Sequence, residues 1–396
     1  MTVKKRHIAM IIVISLLTGA VLSAVGIALV YDRGGYVSLS AGDYHDFQQF
    51  YQKYGKLDRL ADYVETNFYR EVDPEDIRTG MYRGVFFGLD DMYSYYMTAD
   101  EYDALNVSMS SEFQGIGITF SYDAHYKLVI VSTMDDSPAQ KIGLLPGDVI
   151  LMVDDIPYTA ADMDAAGAHM RGKPGTKVKL TISRDGETRE FVITRATIVK
   201  HSIKTEILDY NIAYIRISSF EENTGEEFKN ELRALEMKGV DGMVIDVRNN
   251  GGGVVDAGIA IADLLLPEGT IVYLVDNMGN KRPSNSDRNA TRIPYVLLIN
   301  GGTASTSEIL AAAIKDNNGG KLVGTRTFGK GVVQSVMKLD DGSGAAIKLT
   351  TSQYLSPNGN VIHQKGIEPD YVVESDEEDE RDYQLERAVR LLLSAQ

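Results

Sequence analysis

Between Tyr295 and Asp316 an apolar run, a glycine break and a helix-forming run follow one another, and this order constrains the fold most. Tyr295-Val-Leu-Leu-Ile-Asn300 has the length and β-branched content of a buried strand. Gly301-Gly302 break it, Thr303-Ala-Ser-Thr-Ser307 follow, and Glu308 to Asp316 is rich in good helix formers. A strand, a tight turn and a helix start put Ser305 at a helix N-terminus. Backbone N–H groups are unpaired there and the helix dipole is positive, so an oxyanion beside Ser305 would be stabilised. Ser305-x-x-Glu308 is equally an ordinary capping box, which only starts a helix.

Downstream, Thr325 to Gln334 holds Lys330 and, four residues on, Gln334, at the start of a strand-like run Val332 to Val336. On a strand, positions i and i+4 share a face, so the two side chains can point the same way. A serine needs a base to become a nucleophile, and a desolvated lysine can serve. Lysine ordinarily titrates near 10.4 and must fall to about 7–8 to accept a proton at neutral pH. That demands apolar surroundings, which the residues around Lys330 supply. The plain alternative is a solvated loop lysine.

Composition closes other routes. The 396 residues carry 40 Lys+Arg against 56 Asp+Glu, a formal charge of −16, which argues against nucleic acid as a partner. There is no cysteine, so thiol chemistry, thiolate metal sites and disulfides are excluded. The six histidines form no H-E-x-x-H, and no G-x-S-x-G occurs.

Asn300-Gly-Gly-Thr-Ala-Ser-Thr-Ser-Glu-Ile309 with Phe328-Gly-Lys-Gly-Val-Val-Gln334 resembles the active-site signature of the carboxy-terminal processing proteases, the tail-specific Ser-Lys peptidases. The resemblance implies Ser305 as nucleophile, Lys330 as general base and Gln334 as the group orienting the lysine. Thr303 stands where many members carry serine. Gly242 to Arg248 reads as a buried strand ending in Asn249-Asn-Gly-Gly-Gly253. Such a loop can cradle a phosphate or form half an oxyanion hole. The resemblance of "IDVRNNGGG" favours the hole, with Gly251 and then Gly252 as donors and the Thr306 amide as the second. The implied body is a crotonase-like α/β core that needs no metal or organic cofactor.

Phe113 to Ala196 reads as a small β-rich unit with turns at Leu145-Pro-Gly-Asp148 and Arg184-Asp-Gly-Glu187. It resembles a PDZ domain through its "GxGI" and "SPAxxxGLxPGDxIxxVD" patterns. That implies capture of a peptide's terminal carboxylate by Gly115, Ile116, Gly117 and Ile118, the peptide adding as a strand to the sheet edge. Arg171 is placed where the module can reach the catalytic body and regulate it; a surface arginine is the alternative.

Lys4-Lys5-Arg6 precede an apolar run from Ile8 to Val30, long enough to span a bilayer. The basic flank stays inside, which leaves the catalytic part outside the cytoplasm. The alternative is a cleaved signal peptide and a secreted enzyme. Phe47, Phe50, Tyr51 and Tyr54 recur at helical spacing, a face for a core or a second subunit. Gly80 to Tyr96 resembles the same protease family, its aromatics read as packing residues.

The expected chain is therefore multidomain α/β: a cytoplasmic tail (1–7), a transmembrane helix (8–30), a helical N-terminal region (31–106), a PDZ domain (107–197), a catalytic domain (198–373), and an acidic linker with a closing helix (374–396). The expected function is a membrane-anchored serine endopeptidase acting on protein C-termini, with a homodimer through the terminal helices left open. The rival is an inert PDZ adaptor at the membrane.

Overall fold

The computed structural model describes residues 10, 12–21, 40–374, 379 and 381–394. The chain divides into two compact units, Met1–Gly84 and Val85–Gln396. In the first, residues 10 and 12–21 of the Ile8–Val30 run are helical; the rest of that run and Lys4-Lys5-Arg6 lie outside the described residues. Among the described residues no helix is long and apolar enough to cross a membrane. Helix Ala41–Asn67 opens on a capping box: Ser40 Oγ accepts the Asp43 N–H at 3.1 Å, and the Asp43 carboxylate accepts the Ser40 N–H at 3.2 Å. Phe47 stacks on Tyr51 and Phe50 leans on Tyr54, yet all four rings are exposed. Gly55 is the buried position of this helix, so the aromatic face covers no core within the unit.

The larger unit holds two modules. In the first, strands Ile118–Tyr122, Leu128–Thr133, Val149–Val153, Lys177–Arg184 and Glu187–Thr194 form an antiparallel sheet in the order given. Their alternating inward residues, among them Leu128, Ile130, Ile150, Leu180 and Ile182, build one core with Ala166 and Met170 of helix Met163–Met170. Ile118–Tyr122 is left as an edge strand beside that helix.

The second module is built on a six-stranded sheet. Its order is Ile203–Leu208, Ile212–Ile217, Gly242–Asp246, Tyr295–Ile299, Lys321–Gly324, Tyr371–Val372. The first pair is antiparallel and the others are parallel. Parallel strands are buried on both faces, and the period of two sorts the side chains. Met243, Ile245, Leu297 and Ile299 face helices Thr224–Lys238, Val255–Leu265 and Thr306–Asp316. Val244, Val296 and Leu298 face Ala388 and Leu392 of helix Tyr383–Ser394. A second sheet sets Tyr95–Met97, Val332–Lys338 and Gly269–Asp276 against the long strand Ala346–Leu355.

Candidate active site

The Tyr295–Ile299 strand ends inside the body, and the chain must reverse within a few residues to start helix Thr306–Asp316. Ser305 takes up the strain, with φ 58° and ψ −117°. That region is costly for any residue with a Cβ and is retained where the surroundings enforce it. The surroundings do so by hydrogen bonds. Buried Thr303 donates its hydroxyl to Val247 O at 2.9 Å and accepts the Asn300 N–H at 3.0 Å. Asn250 O accepts both the Ala304 N–H (3.0 Å) and the Ser307 hydroxyl (2.9 Å).

Glu308 is more than the capping residue its spacing suggests. It is fully buried, and its carboxylate accepts four hydrogen bonds. Oε2 takes the N–H groups of Ser305 (2.9 Å) and Lys330 (2.8 Å). Oε1 takes the Gly329 N–H (2.7 Å) and the Thr327 hydroxyl (2.6 Å). One side chain thus ties the serine turn to the lysine loop. The sequence signal was present at Glu308, but a capping box and this clamp are spelled alike.

The glycine loop lies against the serine. Gly252 has φ +98°, and a Cβ there would stand 2.8 Å from Ser305 Cβ and 2.9 Å from Ala304 O. Its N–H donates to Asn250 Oδ1 at 2.9 Å, so this amide is already engaged. The amides of Gly251 and Thr306 have no acceptor among the described residues, and Gly251 is exposed. The strand before the loop is fastened from behind. Buried Asp246 accepts from the Tyr214 hydroxyl (2.7 Å), Arg216 (2.8 Å) and Arg248 (2.6 Å). Arg248 also reaches Asp382 at 2.7 Å and Gln384 at 2.9 Å. Asp382, expected in a solvated acidic run, is therefore a partner of the loop's own strand, and its pKa is lowered, the Arg248 contact prevailing over burial.

The side chains of Ser305, Lys330 and Gln334 lie in this one region but share no hydrogen bond among the described residues. The Ser305 side chain lies close to the phenol of Tyr354, which is buried and pushed up to about 12 by burial. Lys330 is half-buried, and its pKa is lowered by desolvation first and then by the like charge of Lys348. Its Nζ lies 4.6 Å from the centroid of the Tyr93 ring. Gln334 Nε2 donates to Thr350 Oγ1 at 3.1 Å. The same-face argument for Lys330 and Gln334 fails for two physical reasons. Lys330 precedes the strand, which begins at Val332, and the ladder slips between Val333 and Gln334. Tyr93, read as a packing residue, was missed as part of the lysine's environment.

In the β-rich module, Gly115–Ile118, Phe120, Met134, Met170 and Arg171 line a groove of about 290 Å³ between the edge strand and helix Met163–Met170. Gly117 has φ +80° and lies against Ser137, whose Cβ would sit 2.3 Å from any side chain there. The Ile116 and Gly117 amides have no acceptor among the described residues. Arg171 is exposed, lies beside Gly115 and makes no ion pair to the catalytic module among the described residues.

A strained serine at a helix start, a desolvated lysine and a peptide-sized groove on a separate β-rich module define a class, the α/β serine protease with a PDZ domain. A family model of the PDZ domain matches residues 114–194, and one of peptidase family S41 matches residues 211–373. The carboxy-terminal processing protease CtpA of Bacillus subtilis is 33% identical over 371 residues, 92% of this chain and 77% of that protein. The carboxyl-terminal-processing protease of Synechocystis sp. is 40% identical over 294 residues, 72% of this chain and 68% of that protein. Among solved structures, the photosystem II D1 C-terminal processing protease aligns with TM-score 0.50 and 28% identity, covering 84% of this chain and 89% of that one. The chain belongs to peptidase family S41.

Proposed function

We propose that this chain is a carboxy-terminal processing endopeptidase in which Ser305 is the nucleophile and Lys330 the general base. The observation that carries the reading is the strained Ser305 turn at a helix start, with the Thr306 amide next to it and the Gly251 amide of the adjoining glycine loop both left without an acceptor among the described residues. Lys330 takes the Ser305 proton, the oxygen attacks the peptide carbonyl, and the ammonium returns the proton to the leaving amine. Water then releases the acyl group. For this the hydroxyl and the amine must come within hydrogen-bond reach of one another. Gln334 acts on the lysine indirectly, through Thr350. Gly252 contributes its missing Cβ rather than its amide. The core that holds this site is of the crotonase-like kind.

The PDZ groove supplies substrate selection. A terminal carboxylate meets the Ile116 and Gly117 amides and the Arg171 charge, and the peptide pairs along Ile118–Tyr122. In this reading Arg171 serves capture, and any switching of the catalytic body follows occupancy of the groove. The Ile8–Val30 run anchors the enzyme with its body outside the cytoplasm, and the exposed aromatic face of Ala41–Asn67 receives a second copy.

Dye-labelled casein is the test substrate. Ser305→Ala and Lys330→Ala should each remove activity by about 10⁴-fold or more while leaving the melting temperature near wild type. Full activity in Lys330→Ala would overturn the mechanism. Protease added to intact protoplasts should digest the body, and protection there would reverse the topology.

A further inference from the structure

A lysine base must satisfy two opposed demands. It has to be neutral to accept the serine proton, and then stable as a cation in a half-buried site. A carboxylate in direct contact would keep it protonated; a bare apolar pocket would keep it from ever taking the proton. The surroundings of Lys330 avoid both extremes. The two carboxylates whose charge reaches it, Asp91 and Glu308, are turned to other donors. Glu308 is filled by its four hydrogen bonds, three to backbone amides and one to a hydroxyl. Asp91 accepts from the Tyr93 N–H (3.1 Å) and the Ser94 hydroxyl (2.5 Å). From the long strand Ala346–Leu355, Lys348 adds a like charge. What faces the Nζ is the ring of Tyr93, 4.6 Å from its centroid.

We propose that Tyr93 is a positioning residue for the base: the face of its ring receives the Lys330 ammonium formed when Ser305 gives up its proton, and holds the amine without fixing that proton. An aromatic face attracts a cation but presents no unpaired charge to the neutral amine. The turn that carries Tyr93 is keyed into the catalytic module. Ser94 Oγ accepts the Thr350 N–H at 2.9 Å and donates to Asp91 at 2.5 Å. The Thr350 hydroxyl oxygen accepts from Gln334 Nε2. Gln334 therefore reaches Lys330 by way of the turn bearing Tyr93, which accounts for its lack of a direct bond to the lysine.

This role presupposes Lys330 as the base, and the experiment separates the two. The pH dependence of kcat/KM for dye-labelled casein is measured for wild type, Tyr93→Phe, Tyr93→Leu and Lys330→Ala, with melting temperatures alongside. A protein carrying ring-fluorinated phenylalanine at position 93 keeps the shape and weakens only the face. Losing the face removes stabilisation of the ammonium, so the acidic limb moves to lower pH, by about half a unit. The expected result is that shift in Tyr93→Leu and in the fluorinated protein, a tenfold or smaller fall in kcat, and an unchanged KM. Tyr93→Phe keeps the limb near its wild-type position. A limb that stays put in the fluorinated protein, with Lys330→Ala inactive, overturns the role of Tyr93 and leaves Lys330 as base. Activity in Lys330→Ala overturns both.

Discussion

The two halves of the site are built to different standards. On the serine side, every residue from Thr306 to Ile314 is buried, and the turn is pinned by Thr303, Asn250 and Glu308. On the lysine side, strand Val332–Lys338 is exposed or half-buried throughout. Its chemistry rests on one aromatic face and one 3.1 Å amide contact. Fixed donors cost no reorganisation as charge develops, so rigidity belongs where the oxyanion forms. In the proposed mechanism the base moves a proton twice per turnover and gains from a looser hold.

That contrast is breakable in three places. The largest effect is expected at Glu308, where the two halves meet. Glu308→Ala leaves three amides and a hydroxyl buried without an acceptor, costing on the order of 3–5 kcal/mol, read by urea unfolding. A loss below about 1 kcal/mol would mean that the halves are not joined through this residue. Next is Gly252→Ala, which adds backbone strain at φ +98° and pushes a methyl onto Ser305. About a hundredfold loss in kcat is expected with KM nearly unchanged, and a wild-type rate would show the turn to be softer than described.

The smallest effect is one of stability. Burial lowers the pKa of Lys330, so the unfolded chain holds that proton more tightly than the folded one. The resulting destabilisation is complete below the folded pKa and fades as pH rises toward the ordinary lysine value. Lys330→Met should therefore melt above wild type at pH 7, the gap narrowing by about pH 10. A gap independent of pH would remove desolvation as the cause.

Much of this was legible in the sequence where the signal is local. The strand, glycine break and helix start around Ser305 are consecutive, and so are the strand and loop ending at Gly253. What could not be read depends on distant partners. Tyr93 reaches Lys330 because Tyr95–Met97 pairs with Ala346–Lys348, and nothing near Tyr93 announces that pairing. Glu308 gathers its donors from Thr327 to Lys330, beyond any capping pattern. Gln334 was expected on the lysine's face by applying strand alternation to Lys330, which precedes the strand, and across a slip between Val333 and Gln334 that nothing local signals. Asp382 looked like one carboxylate in a charged run, and its partner Arg248 stands more than a hundred residues earlier.

The Arg248 clasp also sets an order of events during synthesis. The strand that feeds the glycine loop is fastened by residues 382 and 384, which leave the ribosome last among its partners. Until they arrive, Asp246 and Arg248 hold each other without the closing helix, and Val244, Val296 and Leu298 lack their cover. An incomplete chain thus carries its serine and lysine on an unfinished frame. The frame behind the glycine loop is therefore closed by the part of the chain made after both the serine and the lysine, so the order of synthesis runs opposite to the order in which the site is supported.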